Sequence, residues 1–298
     1  MGRELAQNFT SAREAFAEAD EALGFAISRI CFEGPAEELQ LTANTQPAIL
    51  TVSAAAARVL REKGIVADYV AGHSLGEYSA LVAAGALGLA DAVRLVRKRG
   101  QYMQEAVPVG QGAMAAILGL DGAALEEVCR DAAQGEVVSP ANLNSPGQVV
   151  IAGNASAVAR AAELAKTRGA KRALLLNVSA PFHCALMKPA QVRLSDDLDA
   201  VPMEDPQVPL VNNVRAEPAT TAATVREGLK QQVTAAVRWE ESIRRLRREG
   251  VELFVEVGPG KVLSGLVRQI DCAAECLRVE NCATLNEVTA RWAPKVGA

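Results

Sequence analysis

Val66-Ala67-Asp68-Tyr69-Val70-Ala71-Gly72-His73-Ser74-Leu75-Gly76-Glu77-Tyr78 decides how this chain folds. Val66 to Ala71 reads as a strand, and Leu75 to Ala84 has helical composition. Between them, Gly72-His73-Ser74-Leu75-Gly76 fits G-x-S-x-G. A serine in that setting is held on a strained strand-to-helix turn, so the flanking positions need residues without bulk. Its hydroxyl then projects above a sheet. The backbone N–H of Leu75, at a helix N-terminus, points where an oxyanion would develop. The pentapeptide alone is common, but its placement after a strand and before a helix makes Ser74 a candidate nucleophile.

Working outward, helical segments alternate with short apolar runs. Helices are predicted over 11–23, 47–63, 89–104, 155–168, 225–232 and 240–249. Strands are predicted over 66–71, 112–118, 149–152, 172–178, 208–212 and 252–257. Such alternation predicts an α/β fold with a mainly parallel sheet covered by helices on both faces. Residues 110–177 have a tighter rhythm: strand, helix (123–132), one or two strands, helix, strand, with a turn at Asn144-Ser145-Pro146-Gly147. That is a βαββαβ pattern, expected to form a small ferredoxin-like subdomain. It would be inserted in a larger domain made of 1–109 and 178–298.

A serine nucleophile needs a base, and the chain has two histidines. His73 adjoins Ser74 on the turn, so its side chain should point elsewhere. His183 follows a strand on a loop, where catalytic groups are commonly mounted, and becomes the favoured base by elimination. No acid stands out as its orienting partner, unlike the Ser, acid, His order of hydrolases.

The remaining composition excludes several classes. A net charge of −4 gives no overall pull toward nucleic acid or anionic membrane. The longest nearly uncharged apolar stretch, Leu81 to Ala90, is too short to span a bilayer. The first residues lack a secretory pattern, and six cysteines without framework spacing point to reduced thiols in a cytoplasm. Cys272, Cys276 and Cys282 cluster, but their spacing fits free thiols better than zinc, so no metal or redox cofactor is expected.

Taken together, these residues resemble the malonyl-CoA:acyl carrier protein transacylase family. The matching segments are Thr45-Gln46-Pro47-Ala48, Gly72 through Ala80, Arg99-Gly100-Gln101-Tyr102-Met103-Gln104 and Asn144 through Gln148. Pro181-Phe182-His183 and Val257 through Leu263 complete the set, in the family's order and across nearly the whole chain. The resemblance implies a large α/β-hydrolase-like domain with the small insert. It implies malonyl transfer from malonyl-CoA to the thiol of acyl carrier protein in fatty acid synthesis, through a malonyl ester of Ser74 and a ping-pong mechanism. His183 would serve as base and then acid, with Leu75 N–H as one oxyanion donor. Arg99 would hold the malonyl carboxylate, and the segment around Gln232 would orient His183. A monomer without bound cofactor is expected. Lys166, Arg168, Lys171, Arg172 and the basic run Arg244 to Arg248 are candidates to meet the acidic carrier protein.

Two departures stand out. The family usually has proline where this chain has Ala236, so the loop after Gln232 is expected to be less rigid. The family also opens with a strand and a Gly-Gln-Gly-Ser-Gln loop that supplies a second oxyanion N–H, and Met1 aligns just after that loop. Two explanations compete, a truncated form and a natural variant that fills the gap another way; the expectation is a truncated form whose central sheet and oxyanion hole each lack one contribution. Competing readings are a related acyltransferase or serine hydrolase of other acyl specificity, and a chain that binds carrier protein with impaired catalysis.

Overall fold

The strand ahead of the serine turn is shorter than the sequence suggests. In the computed structural model, which describes residues 1–292, the strands are β1 (Val70–Ala71), β2 (Gly112–Leu118), β3 (Val138–Ser145), β4 (Gln148–Asn154), β5 (Arg172–Leu175), β6 (Leu210–Val211), β7 (Pro218–Ala219), β8 (Leu253–Val257) and β9 (Glu275–Val279). Among the described residues β1 pairs only with β6, in parallel, over two residues. The reason lies in the partner strand: Pro209 has no N–H, although its carbonyl accepts from Val70 N–H at 3.0 Å. Beyond Val211 the chain turns back, with Ala216 N–H donating to Asn212 O, and pairs with β7.

The mainly parallel sheet expected from the alternation is therefore not continuous. Its parallel pairs, β1–β6 and β8–β9, belong to separate small sheets. They nevertheless share one layer. Tyr69, Ala71, Val211, Phe254 and Cys276 pack into one cluster with Trp239, Ile243 and Val267. Their neighbours Val70, Leu210, Val255, Val257, Leu277 and Val279 face the opposite cluster, built on helices Thr10–Leu23, Thr42–Glu62 and Leu89–Glu105. Burying both faces of this layer supplies its stabilisation, at about 25 cal/mol per Å² of apolar area. Among the described residues no ladder joins β1 to β8.

The middle segment is an antiparallel four-stranded sheet, ordered β3-β4-β2-β5. β2 and β4 pair in register from Gly112↔Asn154 to Leu118↔Gln148. Helices Gly122–Ala133 and Ala155–Thr167 cover one face through Leu125, Val128, Val158 and Ala161. Asp121 caps the first of them by accepting from Ala124 N–H. β3 also bonds to the stretch after Gln232, with Leu143 N–H donating to Val237 O and Val237 N–H to Ala141 O, both at 2.9 Å. Val237, the residue after Ala236, is thus held to β3 at both of its backbone polar groups. Among the described residues, no helix is long and apolar enough to cross a membrane.

Candidate active site

Ser74 sits where the two-residue ladder of β1 ends and helix Leu75–Ala83 begins, with φ 53° and ψ −105°. A non-glycine residue in that region stores strain on the order of 1–3 kcal/mol, so surrounding contacts must hold it there. Gly72 makes the turn possible, since a Cβ on it would lie 2.0 Å from the Gly76 backbone. Gly76 is different: a Cβ there would meet nothing within 4 Å. The need for a residue without bulk therefore holds at Gly72 alone. Within the turn, Gly76 N–H donates to His73 O and Glu77 N–H to Ser74 O. Ser74 N–H donates to Asn213 Oδ1 at 2.7 Å. Leu75 N–H is left without a protein acceptor among the described residues.

His183 comes to Ser74 from the loop after β5, with its own φ at 60°. Its Nε2 lies 2.7 Å from Ser74 Oγ and its Nδ1 2.9 Å from the Gln232 main-chain oxygen. A carbonyl can only accept, so Nδ1 carries the proton and the Nε2 lone pair faces the hydroxyl. The segment around Gln232 is thus next to His183 as the resemblance implies, with a backbone carbonyl in the place of a carboxylate. Burial, and then the Arg99 cation, push the imidazole pKa down from 6.5 to about 3. His73 points away, as expected: its Nε2 donates to Asn144 Oδ1 on β3 at 2.9 Å, and its ring tilts against Trp239.

Arg99 is 2% exposed, while its neighbour Lys98 is exposed. It reaches the site because Gly100 lets two helices touch: a Cβ there would stand 2.7 Å from Thr42 O. One turn beyond Thr42, Gln46 Oε1 accepts from Arg99 Nη1 at 2.7 Å. Arg99 Nη2 donates to Ser74 Oγ at 3.1 Å and to Gln232 Oε1 at 2.9 Å, and Nε is buried without a partner among the described residues. The Gln232 side chain thus holds Arg99, while its backbone holds His183. Its Nε2 donates to Ser74 O and to Glu77 Oε2, at 3.0 and 2.8 Å. Glu77 is fully buried and also accepts from Asn213 N–H, and burial raises its pKa from 4.5 to about 7.

The structure brings all five sequence candidates together: Ser74, Leu75 N–H, His183, Arg99 and Gln232. Sequence reasoning did not assign roles to Gln46, Glu77 or Asn213. The first two lie inside the quoted motifs, whereas Asn213 carries no signal of its own. Of the basic candidates, Lys166, Arg168, Arg244, Arg245 and Arg247 are already paired with acids of this chain. Cys272 is exposed, Cys276 buried and Cys282 in between. Among the described residues no group of three or more His, Cys, Asp or Glu is placed to hold a metal ion.

A serine whose hydroxyl meets a neutral imidazole and a buried guanidinium, beside an amide N–H without an acceptor among the described residues, is suited to acyl transfer. The acyl transferase domain family model matches residues 1–287. The malonyl CoA-acyl carrier protein transacylase of Bacillus subtilis is 52% identical over 286 residues, 96% of this chain and 90% of that protein. Its Escherichia coli K12 counterpart is 52% identical over 271 residues, 91% of this chain and 88% of that one. The solved transacylase structure from Coxiella burnetii superposes with a TM-score of 0.95 at 44% identity, covering 98% of this chain and 92% of that one. A malonyl-transacylase solved in complex with a type II PKS acyl-carrier protein superposes equally well, at 0.95 and 46% identity, covering 98% and 94%. This chain belongs to the acyl transferase domain family and, within it, to the malonyl CoA-acyl carrier protein transacylases.

Proposed function

We propose that this protein moves the malonyl group of malonyl-CoA to the phosphopantetheine thiol of acyl carrier protein, by a ping-pong path through a malonyl ester of Ser74, in fatty acid biosynthesis. The observation that carries the reading is a convergence on one atom. Ser74 Oγ lies 2.7 Å from His183 Nε2 and 3.1 Å from Arg99 Nη2. Base and cation meet at the nucleophile, as an acyl group ending in a carboxylate requires. The names of the relatives, one of them bound to a carrier protein, support the same substrates.

In the first half-reaction Nε2 takes the Ser74 proton as Oγ attacks the thioester carbon. Leu75 N–H donates to the oxyanion, and collapse expels the coenzyme A thiolate, which takes the proton back from the imidazolium. The carrier thiol then gives its proton to His183 and attacks the ester carbon, and Ser74 Oγ leaves with that proton. Arg99, held by Gln46 and Gln232, pairs with the malonyl carboxylate. The bound anion offsets the positive charge that weakens His183, so a diacid substrate also sharpens its own base. The thioester is substrate, and no cofactor takes part.

The reading divides the chain into a hydrolase-like domain, 1–109 with 178–298, and a ferredoxin-like subdomain, 110–177. The β2-helix-β3-β4-helix-β5 connection and the β3-β4-β2-β5 order support the latter. It places a monomer in the cytoplasm, in keeping with six free cysteines. Incubation with radiolabelled malonyl-CoA tests it: label should appear on Ser74 and vanish in Ser74→Ala. Label retained in that variant, or equal labelling of the parent by acetyl-CoA, would overturn it.

A further inference from the structure

Ser74 keeps a strained backbone although the strand behind it is anchored over only two residues. Something other than the sheet must hold the turn. Asn213, fully buried just beyond β6, reaches both ends of it. Its Oδ1 accepts from Ser74 N–H at 2.7 Å, and its Nδ2 donates to Gly72 O at 2.7 Å. Its backbone is fixed in turn, with N–H donating to Glu77 Oε2 at 3.1 Å and O accepting from Arg238 N–H at 2.9 Å.

We propose that Asn213 is a positioning residue that locks the nucleophile turn: one planar amide bridges Gly72 O and Ser74 N–H and so fixes the direction of Ser74 Oγ. An amide is the side chain that offers a donor and an acceptor on one rigid plane, so it can satisfy both backbone groups at once. The bond to Ser74 N–H has a second effect. It removes the amide next to Leu75 N–H from the reaction centre, whereas Leu75 N–H keeps no acceptor among the described residues. The inference rests on Ser74 being the acylated residue, and Asn213 itself need not touch substrate.

The test separates orientation from binding and from folding. In Asn213→Ala, the rate of Ser74 acylation by malonyl-CoA in a single turnover should fall about a hundredfold, the scale of a roughly ångström misplacement of a nucleophile. The dissociation constant of malonyl-CoA, measured by calorimetry in a Ser74→Ala background with and without Asn213→Ala, should stay within about twofold. Asn213→Asp preserves the shape and decides the matter if the alanine variant does not fold. Ionised, its carboxylate still accepts from Ser74 N–H but repels Gly72 O; protonated, it donates there again. Glu77 lies beside it, with Arg99 and His183 next in the network through Gln232. The ratio of its acylation rate to the parent's should therefore rise as pH falls from about 8 to 6. An acylation rate near the parent's in folded Asn213→Ala, a loss lying wholly in binding, or a ratio flat with pH would overturn the inference. Label on Ser74→Ala would instead sink the reading of Ser74, whatever Asn213 does.

Discussion

A general base buried beside a cation should give an enzyme that tolerates acid. His183 has a pKa near 3 where an exposed imidazole has 6.5, chiefly through burial and secondly through Arg99. That displacement corresponds to a preference for the neutral ring on the order of 5 kcal/mol. With an ordinary imidazole, lowering the pH from 7.5 to 5.5 would leave about a tenth of the base unprotonated and cut the rate roughly tenfold. Here the rate should change by less than about twofold over that interval, with the acid limb below pH 5. The assay is the second-order inactivation of Ser74 by a small neutral sulfonyl fluoride, which needs the base but not the carboxylate site. Replacing the cation, in Arg99→Met, should move the acid limb upward yet keep it below 6.5, because burial remains. An acid limb near 6.5 in the parent enzyme would refute the reasoning. So would an unmoved limb in Arg99→Met.

Glu77 has its folded-state pKa raised to about 7, so its contribution to stability is fully present below pH 4.5 and is lost as pH rises through 7. Glu77→Gln should remove that slope and gain about 3 kcal/mol relative to the parent between pH 5 and 8, as measured by urea unfolding. Gly100→Ala should cost about 1–3 kcal/mol in the same assay, since its methyl meets Thr42 O and the Ala43 Cα. It should also slow malonyl transfer by moving Gln46 off Arg99, and an unaltered rate would show that this helix contact does not set the site.

Much of the fold and site is legible in the sequence, for identifiable reasons. Helix Leu89–Glu105 carries a 3.6-residue pattern and strand Gly112–Leu118 a short continuous apolar run, and both appear within a residue of their predicted ends. Helix Lys188–Ala200 and strand Glu275–Val279 do not announce themselves: one is rich in charge, and the other lies among cysteines that read as loop or helix. The strand over 66–71 fails because ladder length depends on the partner, and Pro209 limits that partner far away in sequence. At the site, Ser74 and His183 follow from local chemistry. Arg99 looks like surface charge in the run Arg97-Lys98-Arg99, and only the approach at Gly100 buries it. Asn213 is invisible beforehand because its value lies in two backbone atoms about 140 residues away.

The short β1–β6 ladder has a consequence for how the enzyme responds to heat. A catalytic turn carried on a long parallel strand shares the stiffness of the whole sheet. Here two paired residues and a few buried amides carry that stiffness, so the turn's geometry rests on local hydrogen bonds rather than on a long ladder. Loss of turnover on warming is then expected to precede global melting of the body around helices Thr42–Glu62 and Leu89–Glu105.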